Sequence, residues 1–217
     1  MIDLLYILVG AIAAYLIGSF PTAIWYGRLY HDLDIRDYGS GNAGATNTFR
    51  VLGKKAGTIV MLIDVLKGWT ATSCVFFLMY FNIISVKDVA VYKLIFGLCA
   101  VTGHIFPIYE HFKGGKGIAT LLGMVLSIHI EAALICMAVF FVVLVLSKYV
   151  SLGSIISTLS FPLMLLFIPQ FKHDEPPIVI IFGFAIFLMV VITHKKNIKR
   201  LFKGEENKTL LRLRKKH

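Results

Sequence analysis

The strongest constraint on this chain is a succession of long apolar runs separated by short polar segments, at residues 4–26, 58–84, 89–108, 117–147, 154–168 and 178–193. A helix of about 20 apolar residues crosses a hydrocarbon core about 30 Å thick. Of the 217 residues, 58% are hydrophobic and 16% are charged, against about 25% charged in an ordinary soluble domain. So much apolar surface cannot be hidden in a water-soluble fold of this size, and it excludes disorder as well. The expected class is an all-α integral membrane protein, one domain over 1–217, with no linker, internal repeat or second domain. Cys74, Cys99 and Cys136 lie inside apolar runs without CxxC spacing, so they read as small apolar residues, not as a disulfide framework or a zinc site. No basic region precedes the first run after Met1, Ile2 and Asp3, so that run is expected to stay as a span.

Charge sets the orientation. Basic residues cluster at Arg28, Arg36, Arg50, Lys54 and Lys55, at Lys113 and Lys116, and at Lys148. The tail 194–217 adds Lys195, Lys196, Lys199, Arg200, Lys203, Lys208, Arg212, Arg214, Lys215 and Lys216. If the run 117–147 is one helix, the tail falls opposite the first cluster. If it is two helices joined by an outer turn at 127–131, every basic segment lies in the cytoplasm, as the positive-inside rule requires. About seven spans follow, with the N-terminus outside and the C-terminus inside. The net charge of +10 then speaks for orientation and for contact with anionic lipid or substrate, not for nucleic acid. Asp64 and Lys67 share one face of the second span. They either form an ion pair near its inner end or help to shape a site.

Three polar clusters on that side are too specific for plain loops. Gly39, Ser40, Gly41, Asn42, Ala43, Gly44, Ala45, Thr46 and Asn47 are followed by Arg50. Small residues let a backbone approach a ligand, and a guanidinium suits phosphate. The literal GxGxxG here is no dinucleotide fold, because a polar segment precedes it and a membrane span follows. The second cluster is Gly103, His104, Ile105, Phe106 and Pro107, then Lys113, Gly114, Gly115, Lys116 and Gly117 directly before a predicted helix. A helix start with two ammonium groups makes an anion site. Glu110 and Gly117 break the Walker A pattern, so nucleotide hydrolysis is not supported. The third is His194 with Asn197, three apart at the inner end of the last span. Ser151 and Ser154, taken alone, read as helix caps. The HxxxxD pair, the GxSxG elbow and metal-ligand spacing are all missing from the sequence, which points to neither a protein nucleophile nor a metal.

Together the stretches 39–50, 103–120 and 194–206 resemble the bacterial acyl-phosphate:glycerol-3-phosphate acyltransferase family, the PlsY type, in order, spacing and placement between spans. The resemblance runs from the first span to about Glu206, with Tyr109 standing where another aromatic is usual. It implies a seven-helix enzyme of the bacterial inner membrane, its site facing the cytoplasm. This enzyme would transfer an acyl group from acyl phosphate to glycerol 3-phosphate, without metal or cofactor and without using acyl-CoA directly. The resemblance makes Ser40, Arg50, Lys116, His194 and Asn197 the essential polar set. It assigns substrate binding to Gly41, Asn42, Gly44, Thr46, Asn47, His104, Lys113, Gly114, Gly115, Gly117 and Thr120, with Ser151 or Ser154 completing the pocket. Glu205 matches a tail glutamate that supports the site. The implied partners are the two substrates, membrane lipids and the enzyme that makes acyl phosphate. The general base is His194 or the donor phosphate.

Overall fold

The structure is a computed structural model and describes residues 2–172 and 177–209. Residues 173–176 and the tail cations Arg212, Arg214, Lys215 and Lys216 lie outside the described residues. The described chain is helical, and its packing forms two compact units, Met1–Glu131 and Ala132–His217.

In the first unit α1 (Ile2–Ser19) breaks before α2 (Thr22–His31) at Pro21. Proline has no N–H to continue the ladder. Pro21 instead offers its carbonyl to the N–H groups of Ile24 and Trp25. Next come α3 (Ala45–Val51), α4 (Gly53–Ser73) and α5 (Val75–Tyr80), then α6 (Val89–Ile105) and α7 (Ile118–Ile128). Small residues let these helices meet at backbone distance. A Cβ on Gly18 would lie 2.0 Å from the Ala100 carbonyl oxygen, and one on Gly68 would lie 2.0 Å from that of Thr120. A core of Ala14, Ala71, Val75, Leu78, Phe96 and Ala100 fills the space among α1, α4, α5 and α6.

In the second unit α8 (Ile130–Ser147) and α9 (Val150–Phe167) precede a short α10 (Pro169–Lys172), α11 (Pro177–Thr193) and α12 (Lys195–Phe202). α9 packs on α11 where Gly183 meets Phe161 and Pro162.

Five helical stretches among the described residues are long and apolar enough to cross a membrane, and the bent pair α11–α12 makes a sixth if it counts as one span. The run 117–147 does divide into two helices, with His129 extended between them. α7 has only 11 residues, so it is about 16 Å long at 1.5 Å per residue. It starts beside Gly68, past the middle of α4, and ends where Ser127 meets Ser73 at 2.9 Å. The polar turn before α7 therefore lies well along α4 and leaves a short helix to reach the level of Ser73.

Candidate functional site

Asn47, buried on α3, organises the first loop. Its Nδ2 donates to the carbonyls of Ile35 and Tyr38 at 2.9 and 3.0 Å. Its Oδ1 accepts from the Ser40 N–H at 2.9 Å, from Ser40 Oγ at 3.1 Å and, at a long 3.5 Å, from Arg50 Nη1. Expected to bind substrate, Asn47 spends its amide on the loop, because the carbonyls at the loop's base and Ser40 at its tip all need a partner. Ser40, Thr46 and Arg50 stay exposed around this hub, with Asn42 half-buried. Gly39 and Gly41 adopt φ of +63° and +69°, a left-handed backbone that glycine alone takes without strain. Ala43 plugs into a core of Ile24, Ile35 and Val60 and pins the far end.

The second loop folds back on the end of α6. The Gly114 and Gly115 N–H groups donate to the carbonyls of Ile105 and His104, both at 3.1 Å. A Cβ on Gly114 would sit 2.0 Å from the His104 carbonyl oxygen, and one on Gly115 would sit 2.3 Å from His104 Nε2 and 2.8 Å from the Ala43 carbonyl oxygen. These two glycines are thus demanded by packing, and that packing brings the loops together at Ala43 and Gly115. Gly117, with φ of +81°, caps α7. The result is a helix start flanked by Lys113 and Lys116, suited to an anion. Thr120, in the first turn of α7, is buried, with its backbone against Gly68 of α4.

An outer bracket holds the same loop. Buried Glu110 accepts from Trp25 Nε1 at 3.2 Å, Arg28 Nη1 at 2.7 Å and Arg36 Nη2 at 3.0 Å. Arg36 Nη1 donates to the Lys113 carbonyl at 3.4 Å. Asp34 completes the bracket, and the Arg36 hydrogen bond holds its carboxyl well below the usual carboxylate range against the opposing effect of burial.

In the second unit α11 and α12 meet at a 66° bend, with His194 at the corner. His194 Nδ1 lies 2.9 Å from the Val190 carbonyl oxygen. A carbonyl only accepts, so Nδ1 carries the proton and Nε2 has the lone pair in the neutral ring. Asn197 Nδ2, Ser151 Oγ and Arg200 Nε donate to the Glu206 carboxylate at 2.6, 2.9 and 2.7 Å. Burial raises the Glu206 carboxyl, but these hydrogen bonds and the Arg200 charge outweigh it and leave it below the ordinary value. The support expected of Glu205 thus falls to its neighbour: Gly204 turns the chain at φ +71°, Glu205 is exposed and Glu206 faces the bundle. Ser151 and Ser154 are not caps, since Tyr149 occupies the N-cap position; Ser154 Oγ donates to the Val150 carbonyl at 3.0 Å.

Sequence reasoning missed Glu206, Glu110 and Asn47 as organisers. Trp25 and Arg28 stand three apart on one helix face, but nothing local ties that face to Glu110. Among the described residues no group of His, Cys, Asp and Glu is placed to hold a metal ion.

The family model described as glycerol-3-phosphate acyltransferase matches residues 8–204. The glycerol-3-phosphate acyltransferase of Chlorobaculum tepidum is 41% identical, covering 91% of this chain and 94% of its own. That of Staphylococcus aureus is 39% identical, covering 93% and 97%. The crystal structure of PlsY (YgiH), an integral membrane glycerol 3-phosphate acyltransferase, in its glycerol 3-phosphate form superposes with a TM-score of 0.82 at 36% identity, covering 94% of this chain and 96% of that one. Its lysophosphatidic acid form superposes with a TM-score of 0.79 at 35% identity, covering 94% and 95%.

Proposed function

The chain belongs to the glycerol-3-phosphate acyltransferase family, and on that premise we propose that it transfers a fatty acyl group from acyl phosphate to the 1-hydroxyl of sn-glycerol 3-phosphate. The products are lysophosphatidic acid and inorganic phosphate, in the first acylation of phospholipid synthesis. The observation that carries this reading is the pair of glycine-built loops meeting at Ala43 and Gly115, with Arg50 and Lys116 beside them. Both substrates carry a phosphate, and this arrangement suits anions.

The chemistry asks little covalent work of the protein. The glycerol hydroxyl oxygen attacks the acyl carbonyl carbon, a new ester C–O bond forms, and the bond to the phosphate oxygen breaks. Acyl phosphate is already an activated anhydride, so positioning and charge stabilisation supply the catalysis. Arg50 and Lys116 hold phosphates, helped by Lys113. Ser40, His194 and Asn197 orient the glycerol. The proton of the hydroxyl ends on His194 or on the departing phosphate. Seven passes fit the helices if α7 is a short one, with the N-terminus outside and the cation-rich segments in the cytoplasm of a bacterial cell. The partners are then membrane lipid and the enzyme that supplies acyl phosphate.

The test uses purified protein in lipid with palmitoyl phosphate and glycerol 3-phosphate, and palmitoyl-CoA in parallel. Lysophosphatidic acid and phosphate formed from palmitoyl phosphate without added metal is the expected result. Product from palmitoyl-CoA alone would overturn the donor. No product from a folded sample with either donor would overturn the reaction.

A further inference from the structure

One buried set of charges has no part in the chemistry above. Asp64 lies within the α4 span and is 1% exposed. Its Oδ1 accepts from Thr22 Oγ1 at 2.8 Å, pairs with Lys67 Nζ at 2.9 Å and faces His104 Nδ1 at 3.6 Å, just beyond hydrogen-bond length. Lys67 Nζ also donates to the Phe20 carbonyl at 2.8 Å, at the break between α1 and α2. Ionised groups inside a span cost desolvation that an apolar contact would avoid, so their presence calls for a task.

The opposite edge of the His104 ring shows what that task is. His104 Nε2 lies 2.3 Å from where a Cβ of Gly115 would be, the His104 main-chain oxygen receives the Gly115 N–H, and the Ala43 carbonyl closes the other side. The gap lined by Ala43, Lys67, His104, Gly114 and Gly115 is about 10 Å³, room for about one water. The ring therefore cannot tilt without displacing the loop. Thr22 and Lys67 hold the carboxylate, and a carboxylate facing Nδ1 favours the proton there and sets the ring plane.

We infer that Asp64 is a positioning residue that braces His104 from behind, so that the ring holds Gly114 and Gly115 where the loop grips phosphate. The inference rests on the phosphate-binding reading of that loop. Its test neutralises both members of the ion pair, Asp64→Asn with Lys67→Gln, so that no lone charge is left buried. Phosphate affinity is measured by titrating inorganic phosphate into the full chain in lipid nanodiscs, alongside turnover.

The neutralised pair is expected to weaken phosphate binding and raise KM about tenfold, with kcat within about threefold of the parent. In a His104→Ala background the same pair is expected to add less than about twofold, because the path already ends there. If His104→Ala fails to fold, His104→Gln replaces it, since its amide fills space but cannot face both Asp64 and Gly115. A lower Tm with unchanged phosphate affinity would reduce Asp64 to a structural role and overturn the inference. Full multiplication of the two effects would overturn it too, by removing His104 from the path. A parent that binds phosphate without turnover would sink the proposed reaction, while the binding arm still judged the inference. A parent that binds no phosphate would overturn both.

Discussion

At the glycine–lysine loop, main-chain N–H groups of Gly114 and Gly115 donate to main-chain carbonyls of Ile105 and His104. In the tail of the second unit, side chains of Ser151, Asn197 and Arg200 all donate to one carboxylate, that of Glu206. The first arrangement is backbone on backbone. It has no room for a methyl group, but nothing in its own bonds titrates. The second is side chain on side chain. Its hub must be ionised. Steric and electrostatic perturbations should therefore separate the two regions.

The largest effect is expected at Gly115→Ala, whose Cβ would overlap His104 Nε2 at 2.3 Å. A displacement of about 1 Å in a positioning loop costs about a hundredfold in rate, and turnover should fall by that much at every pH tested. Next is Glu206→Ala, which strips three donors of their acceptor. Leaving such groups unsatisfied costs about 1–3 kcal/mol, so kcat/KM should fall about tenfold or more, with Glu206→Gln milder.

Acid should reach the same hub. A carboxyl held below its ordinary value of 4.5 contributes full stability above that pH, and the contribution is lost as the pH falls through the lower folded-state value. Thermal melts of the parent should therefore lose stability below pH 4.5, and Glu206→Gln should lack that component. Equal acid sensitivity in both would break the comparison.

A smaller effect is expected at Arg36→Ala, which opens the bracket between Glu110 and the Lys113 carbonyl. The guanidinium is partly exposed, so its pairs are screened and turnover should fall only about two- to fivefold, less at high salt. The smallest belongs to Gly53→Ala. Its φ is +85° but nothing lies within 4 Å of the added Cβ, so a melt should show a loss of about 1 kcal/mol with turnover unchanged.

The helical membrane class and the ends of most spans were legible because apolar runs and polar breaks are local signals. The division of 117–147 was legible from charge alone. The shortness of α7 was not, because it depends on Gly68 meeting Thr120 from a helix some fifty residues away in sequence. Residue types and spacing picked out the polar clusters at 39–50, 113–117 and 194–197, and the family resemblance singled out Ser40, Arg50, Lys116, His194 and Asn197 among them, whose place in the reaction rests on the proposed function. They could not tell a ligand from an organiser. Asn47 looks like a donor for substrate until Ile35, Tyr38 and Ser40 are seen around it, and Glu205 looks like Glu206 until Gly204 turns the chain. The glycines of the second loop read as part of an anion site at a helix start, and their close packing against His104 was not legible.

The central claim is that the glycine–lysine loop and the His194–Asn197 pair serve one acyl transfer. The most direct measurement is lysophosphatidic acid formation from palmitoyl phosphate and glycerol 3-phosphate by Lys116→Ala and by His194→Ala, each shown to be folded by its melt. The account predicts that each loses about a hundredfold or more of turnover, the usual scale for removing a group that stabilises developing charge. Near-normal turnover in either folded variant would contradict it.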